Sequence, residues 1–539
     1  MRLPAMKYSD GYRDSVQTVF GGYDHRAAAG NGQICDMGNL TGDEYPLMAA
    51  RQKRSLVRTL TSPQGIGVHG KLCWAAGGRF WYNNIDRGEV STGEKTFMGM
   101  GNRILIWPDK KVYYLPSDDE PEGKLESLEA SVTLSGVKFA NGEIYGEEAE
   151  ANTIVVSGVD WTDYFAVGDA VTIEGCTKHP ENNKTPIVRE ISEDGTELRF
   201  SEYAFTLDNM DTSPKNYTET GEITLKRWIP EMDYICVNEN RLWGCKGDTV
   251  YASKLGDPRN FNVFDGVGTD SFSVPAGSGG DFTGCVSYGG YPIFFKERAI
   301  YKMYGDLPTN FQLMGGPELG VKAGCHRSLA TAGNTLFYLS PAGMMAYAGG
   351  VPSPVGENLG DTFTEAVGGS DGLKYYVSMK DSSQKQHLFV IDTRRGLWYR
   401  EDASEAAGFA ALGAALYMLK RDGGLWDLSG ASGTKEGAVS WYAEFADFDE
   451  ASPNAKSSDR LQLRLEPEAG TTVTVKLMYD SSGEWITVKT MTAAEKHSVV
   501  LPIIPRRADH YRLRLEGTGG CKVYSLSRRI RAGSERKTK

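Results

Sequence analysis

The chain has 539 residues and a mass of 59.0 kDa, which predicts several folding units and excludes a single small module. Hydrophobic residues make up 40% and charged residues 24%, a balance that excludes intrinsic disorder. The formal net charge of -11 excludes a basic, electrostatic nucleic-acid binder. No apolar run approaches the ~18 residues of a transmembrane helix, and we expect no membrane-spanning segment.

Residues 1–60 are predicted to form an extended N-terminal arm. Residues 1–14 lack an apolar signal core, so we expect a soluble protein without a visible export signal. The following stretch consists of glycine-punctuated turns and short apolar pieces without helical periodicity. Because it has too little periodic apolar content to build a core alone, we expect other chains to order it.

A hairpin pattern recurs along the next part of the chain: an apolar run, a polar or glycine turn, and a second run ending in aromatic residues. The units begin at Lys71, Asn102, Asn240, Gly290, Asn334, Gln386 and Gly413. From Asn240 to Gln386 successive starts are 50, 44 and 52 residues apart. One propeller blade takes roughly 40–50 residues. The spacing predicts a β-propeller over residues 61–124 and 227–432, and the alternative is a stack of β-sandwich domains.

Two further units are predicted. Residues 125–226 are acidic and alternate apolar with polar residues between Gly-Asp and Asp-Gly turns, which indicates a small inserted β-barrel. Residues 433–539 contain about six strands, the pattern of a β-sandwich, and end in a basic tail. The predicted fold class is all-β: a β-propeller with an inserted small β-barrel domain and a C-terminal β-sandwich.

The charge is unevenly distributed. Residues 501–539 carry a net +8 and residues 1–500 a net -19. This basic end is expected either to pair with an acidic neighbouring subunit or to be a solvated strand and tail.

The sequence contains no recognisable catalytic motif. It has no phosphate-binding loop, no helical zinc motif and no nucleophile elbow. The 7 histidines are scattered and the 8 cysteines lack CxxC spacing. Asp265 and Asp270 lie beside glycine turns where they could hold calcium, although tight-turn chemistry is the stronger interpretation. Arg394 and Arg395 are the candidate arginines of a channel mouth. We predict no enzyme, no catalytic residue, no metal and no cofactor.

Three stretches carry a family resemblance. The first contains Asp36, Met37, Asn39, Leu40, Tyr45, Pro46, Met48 and Arg51, and the second contains Asn240, Arg241, Tyr251, Ala252, Ser253, Asp257, Pro258 and Phe261. The third spans residues 501–519 and 523–534. These phrases resemble those of tailed-bacteriophage virion structural proteins, in particular podovirus tail nozzle and packaged-DNA stabilisation proteins. The matches are short and degenerate but together extend over most of the chain.

The resemblance implies a β-propeller tail component, nozzle-like or part of a tail hub, that forms part of the DNA conduit and closes or stabilises the packaged genome. It implies a ring of this chain, commonly six copies, in contact with other tail or portal-adaptor proteins. Double-stranded DNA would pass without sequence-specific binding. The protein would be made in the host bacterial cytoplasm and reside in the virion tail. The predicted interface residues are Tyr23, Asp36, Met37, Tyr45, Arg51, Arg528, Arg529 and Arg531.

The alternative function is a glycan-binding or glycan-cleaving propeller, such as a receptor-binding tail component. Converging Asp, Glu and Arg side chains with perturbed pKa values would support hydrolysis, whereas exposed Trp or Tyr on one face would support sugar binding. A scaffold propeller of a cellular complex is the third possibility.

Overall fold

The computed structural model describes residues 11–27, 29–30, 32–118, 120–141, 152–201, 204–208, 215–450, 455–492 and 495–532. This part of the chain is built of β strands and contains no α-helix, and no helix in it is long and apolar enough to cross a membrane. Its helical pieces are the single 3-10 turns Trp161–Asp163, Pro180–Asn182, His326–Ser328 and Glu357–Leu359. The chain forms two compact units, Met1–Pro63 with Gly324–Lys539, and Gln64–Ala323.

The N-terminal segment carries five short strands. They are β1 (Tyr12–Gln17), β2 (Ile34–Gly38), β3 (Leu40–Thr41), β4 (Met48–Ala50) and β5 (Ser55–Thr59).

The Gln64–Ala323 unit is formed by strands β6 to β27. They are β6 (Pro63–His69), β7 (Lys71–Ala76), β8 (Arg79–Tyr82), β9 (Ile85–Glu89), β10 (Thr96–Met100), β11 (Arg103–Trp107), β12 (Lys111–Tyr114), β13 (Lys124–Ser127), β14 (Ala130–Asn141), β15 (Asn152–Val155), β16 (Thr172–Glu174), β17 (Val188–Ile191), β18 (Glu197–Phe200), β19 (Asn216–Arg227), β20 (Tyr234–Asn238), β21 (Arg241–Lys246), β22 (Thr249–Ala252), β23 (Phe272–Pro275), β24 (Gly284–Tyr288), β25 (Tyr291–Lys296), β26 (Ala299–Tyr304) and β27 (Gln312–Gly316). Four antiparallel meanders, β6–β9, β10–β13, β20–β23 and β24–β27, are the propeller blades of this unit.

Local sequence explains the meanders. Gly289 and Gly290 join β24 to β25 with φ angles of 61° and 83°. A two-residue hairpin turn of this hand needs positive φ at both positions, which glycine adopts without strain. Aromatic and aliphatic side chains of the strands then fill the space between sheets, where Trp243 and Phe294 are buried in one cluster with Cys236 and Cys285. The hairpin aromatics therefore serve packing in this part of the fold.

Strands β14 to β19 form a separate, inserted barrel. Their order in the sheet is β16-β19-β14-β15-β18-β17, and a bridge between Ala170 and Ile187 joins the two edges. The core is built by Phe139, Trp161 and Phe200, all buried. The sequence places this insertion at residues 125–226, and the strands that form it begin at Ala130 and end at Arg227.

The remaining strands belong to the other unit. They are β28 (Ala330–Ala332), β29 (Thr335–Ser340), β30 (Gly343–Tyr347), β31 (Ser353–Pro354), β32 (Thr364–Ser370), β33 (Lys374–Lys380), β34 (Gln386–Asp392), β35 (Leu397–Arg400), β36 (Ala406–Leu412), β37 (Ala415–Lys420), β38 (Gly424–Asp427), β39 (Thr434–Lys435), β40 (Ser440–Phe445), β41 (Lys456–Pro467), β42 (Thr472–Tyr479), β43 (Ile486–Thr492), β44 (His497–Leu501), β45 (Tyr511–Thr518) and β46 (Cys521–Ala532).

Three blades lie in this unit, and the N-terminal segment completes the last one. Strands β28–β31 and β32–β35 form two meanders, whereas the third sheet has the order β36-β37-β38-β5-β39. Strand β5 pairs antiparallel with β38, so that Leu56 lies opposite Trp426. The N-terminal segment thus supplies strand β5 of this blade, which lies between β38 and β39.

A β-sandwich follows the blades. One sheet has the order β3-β4-β46-β41-β44, with β1 also paired to β46, and the other has the order β2-β40-β45-β42-β43. Leu461, Leu463 and Leu465 of β41 are buried, as their alternation with polar residues predicts. Both sheets include strands from the N-terminal segment.

The predicted fold class is confirmed, but the N-terminal segment differs from the predicted arm. Its described strands pair within the same chain: β1 and β4 with β46, β2 with β40, and β5 with β38. The physical reason is that each short strand pairs with a sheet whose core comes from residues hundreds of positions away. Such a segment needs no periodic apolar content of its own. Residues 1–10 and 533–539, the ends of the predicted arm and basic tail, lie outside the described residues.

Candidate functional site

An open cleft of about 910 Å³ lies within the Gln64–Ala323 unit, lined by the inserted barrel and by the loop that follows β22. Trp228 directly follows β19, and Phe264 lies in the loop. The two side chains are 39% and 62% exposed, respectively. We call this feature the aromatic cleft. Trp228 is of the residue type that the glycan-binding alternative expects on an exposed face, whereas Phe264 is not.

Polar groups line the rest of the aromatic cleft. Lys226 Nζ lies 2.7 Å from Glu174 Oε1, and the hydroxyl oxygens of Thr172 and Thr185 are 3.0 Å apart. The charged lining residues are two acids and two bases: Glu174, Asp265, Lys184 and Lys226. The cleft therefore carries no formal net charge, although the chain is strongly acidic.

A buried polar network fixes the two walls of the cleft. The Asn260 side-chain oxygen accepts a hydrogen bond from the backbone N–H of Ala170 (3.0 Å), and its NH₂ donates to Asp169 (2.9 Å) and Asp257 (2.7 Å). Asp169 is fully buried and forms an ion pair with Arg227, the residue before Trp228. The barrel wall and the loop wall are thus tied together by groups that are costly to separate.

The loop from Phe264 to Asp270 contains the calcium candidates Asp265 and Asp270, and two of its carbonyl groups bind an arginine. The Arg241 guanidinium donates to the carbonyl oxygens of Ser253 (2.8 Å), Gly268 (2.8 Å) and Asp270 (2.5 Å). The Asp270 carboxylate accepts from the backbone N–H groups of the turn, as tight-turn chemistry predicts. Within the described ranges, no group of three or more His, Cys, Asp or Glu side chains could hold a metal ion.

The other candidate charges are engaged in local ion pairs. Arg394 and Arg395 both pair with Asp392, at 2.9 Å and 2.5 Å. Across the part of the chain that the structure describes, every Asp or Glu whose pKa is shifted has it lowered.

The predicted interface residues of the N-terminal segment make contacts inside their own chain. Asp36 accepts a hydrogen bond from the Tyr442 hydroxyl (3.0 Å) and lies 2.8 Å from Arg400 Nη2. Burial raises the pKa of Tyr442 to about 12, so that its hydroxyl keeps the proton it donates. The buried Tyr23 donates its backbone N–H to the carbonyl of Trp398 (2.6 Å).

Two other predicted interface residues also have neighbours in the same chain. Met37 is fully buried. The ring of Tyr45 lies 5.1 Å, measured from its centre, from the Arg395 guanidinium. Arg51 donates Nε–H to Asn39 (2.7 Å) and forms an ion pair with Glu436.

A second arginine, which the sequence did not single out, lies beside Arg51. Arg54 is buried, lies 2.7 Å from Asp402 and also pairs with Glu401. Its backbone N–H donates to Glu436 (2.8 Å). We call the set formed by Tyr23, Asp36, Asn39, Arg51 and Arg54 with Trp398, Arg400, Glu401, Asp402, Glu436 and Tyr442 the N-terminal clasp. The N-terminal clasp links residues 23–54 to a blade and to the start of the sandwich.

The predicted C-terminal arginines also have partners in the same chain. Arg529 lies 2.9 Å from Asp14, and Arg528 donates to the Ser15 hydroxyl (3.1 Å). The Arg531 guanidinium lies 5.5 Å from the centre of the Tyr12 ring. These basic groups face β1 of their own chain, so the structure gives them a partner other than the acidic neighbouring subunit expected from the charge distribution.

Sequence reasoning missed the cleft aromatics and Arg54. Trp228 had a usable signal, because it lies outside the repeated hairpins and two residues before Pro230. In the structure it is the most exposed of the described tryptophans. Arg54 had none, because its partners Glu401 and Asp402 are about 350 residues away in sequence.

No family model matches the chain, and no curated protein sequence matches it. Solved structures with a similar arrangement include an exo-β-1,3-galactanase from Phanerochaete chrysosporium with β-1,3-galactotriose, at 9% identity over 55% of this chain and 94% of that one, with a TM-score of 0.21. PorZ, a surface component of the type-IX secretion system of Porphyromonas gingivalis, has 11% identity over 87% and 77% of the two chains and a TM-score of 0.26. A protein titled glycoside hydrolase has 10% identity over 80% and 96%, with a TM-score of 0.18. At these TM-scores the likenesses carry no argument about function, and the phage resemblance stays a prediction.

Proposed function

We propose that the chain is a non-enzymatic structural protein of a tailed-phage tail, a nozzle-like or hub component that assembles as a ring. The observation that carries this proposal is the position of the residues that produce the phage resemblance. Met37, Leu40, Met48 and Arg51 are buried, and Arg51 belongs to the N-terminal clasp. Half of the eight resembling residues in this phrase are therefore part of the interior, whereas Pro46 is exposed.

The second resembling phrase has the same property. Ala252, Ser253 and Phe261 are buried. Arg241 binds the Ser253 carbonyl, and the Ser253 hydroxyl accepts the backbone N–H of Leu242 at 3.0 Å. Asn240 of this phrase is exposed, whereas its buried members interlock in one hairpin and its loop. This supports a shared architecture with tail proteins.

The ring is tested by the solution mass of the full chain, measured by light scattering over a concentration series, with electron microscopy of any large species. We expect closed rings of several copies with an open axis. A strict monomer at every concentration would contradict self-assembly into a ring.

Glycan recognition is the second candidate, and the exposed Trp228 and Phe264 of the aromatic cleft favour it. A glycan array probed with the full chain tests this function. Reproducible binding to a glycan class is the expected result, and no binding to any glycan would contradict it.

A further inference from the structure

We propose that the aromatic cleft binds an uncharged oligosaccharide, with its sugar rings stacked on Trp228 and Phe264. This inference rests on the second function proposed above and specifies the site and the ligand class. A volume of about 910 Å³ lies within the roughly 300–1,000 Å³ typical of small-ligand sites.

The exposed rings of Trp228 and Phe264 suit contact with a sugar ring. Single exposed apolar side chains are ordinary, but here two aromatic side chains line one polar cleft. An aromatic ring presents a flat apolar face with partial negative charge, which attracts C–H groups with partial positive charge. A pyranose ring has such a C–H face, with hydroxyl groups around its edge. Phe264 has no polar atom, so it can contribute to binding only through apolar contact.

The polar lining of the cleft suits hydrogen bonding to sugar hydroxyl groups. Thr172 and Thr185 offer hydroxyl groups that can both donate and accept, and the carboxylates of Glu174 and Asp265 can accept from sugar hydroxyls. The absence of formal net charge favours an uncharged ligand. A single-stranded nucleic acid also stacks on aromatic rings, but its sites combine stacking with a positively charged groove.

The two walls of the cleft are connected to each other. Because the Asn260 network ties the loop to the barrel, the backbone segments that carry the two aromatic residues are held together before any ligand arrives. Preorganisation of this kind reduces the ordering cost of binding.

The test uses the full-length protein and titration calorimetry with uncharged oligosaccharides selected on the array. We expect Trp228→Ala and Phe264→Ala each to weaken binding by about 30-fold, the effect of truncating an aromatic hot spot. Trp228→Phe should retain much of the affinity, which separates lost stacking from lost folding. Tyr304→Ala is the matched control, because Tyr304 is 39% exposed like Trp228 but lies on β26. It should bind like the natural protein.

Each other outcome overturns a stated part of the proposal. Unchanged binding in both cleft variants places the sugar elsewhere, and binding restricted to sialylated or uronic-acid glycans refutes the uncharged class. A single-stranded oligonucleotide that binds and is lost in Trp228→Ala would make the cleft a nucleic-acid site. No binding of any glycan contradicts the second function itself and thus removes the basis of this inference.

Discussion

The N-terminal clasp makes a quantitative prediction at Arg54. Burial alone would lower the pKa of its guanidinium, but the carboxylates of Glu401 and Asp402 raise it, so the group stays charged. The Arg54→Met variant leaves the buried Glu401 carboxylate without this partner. Breaking a buried ion pair by removing one member costs about 3–5 kcal/mol. For a unit of this size, at about 2 °C per kcal/mol, Tm should fall by about 6–10 °C.

Differential scanning calorimetry measures this change in the transition of the unit that contains both chain ends. Arg58→Met is the matched control, because Arg58 is an exposed arginine on the neighbouring strand β5, and its loss should cost less than about 1 kcal/mol. The double variant Arg54→Met with Glu401→Met should recover part of the loss, since an apolar pair can replace a buried ion pair.

Equal Tm changes in Arg54→Met and Arg58→Met would refute the reasoning, because they would show that the clasp contributes no more than a surface charge. Failure of the double variant to recover any stability would show that the cost lies in packing rather than in an unpaired carboxylate.

Three further predictions follow from the same structure. Burial alone would raise the pKa of Asp402 and Glu436, but bonds from Arg54, Arg51 and backbone N–H groups lower the pKa of both carboxyls. The stability that these carboxylates add is therefore present above their unfolded pKa of about 4, and it is lost as pH falls through their lower pKa values in the folded chain. Tm measured from pH 7 to pH 3 should show this loss in the natural protein and a smaller loss in Arg51→Met. An equal loss in the two proteins would contradict the prediction. Asn260→Leu should destabilise the Gln64–Ala323 unit by about 2–4 kcal/mol, because it removes the hydrogen bonds to the buried Asp169 Oδ1 and from the Ala170 N–H; urea unfolding followed by tryptophan fluorescence would detect the loss, and a change below about 0.5 kcal/mol would contradict it. Deleting residues 1–17 removes β1 and uncovers part of β46, and should produce association beyond that of the natural chain on light scattering, whereas the same mass distribution as the natural chain would contradict this.

The blades and the barrel were predictable because their information is local. Each hairpin places apolar residues at alternate positions and glycines at the turn, as at Gly289 and Gly290, and a regular spacing of such hairpins is typical of a propeller. The sandwich was predictable for the same reason, from alternating strands such as β41.

The N-terminal segment and the cleft were not predictable in the same way. Strands as short as Leu40–Thr41 and Met48–Ala50 carry no period, and their partners are fixed by contacts between residues far apart, such as Asp36 with Arg400. The motif residues Asp36 and Arg51 were therefore recognised as important but assigned to contacts with other chains. The cleft depends on where the inserted barrel meets one blade loop, which no pattern along the chain specifies.

The most direct test of the tail-protein proposal is quantitative mass spectrometry of phage particles purified from the bacterium that carries this gene. The account predicts that the chain copurifies with intact, DNA-containing particles at several copies per particle and remains with isolated tails after the heads are disrupted. A chain present in the producing cells but absent from purified particles would contradict it.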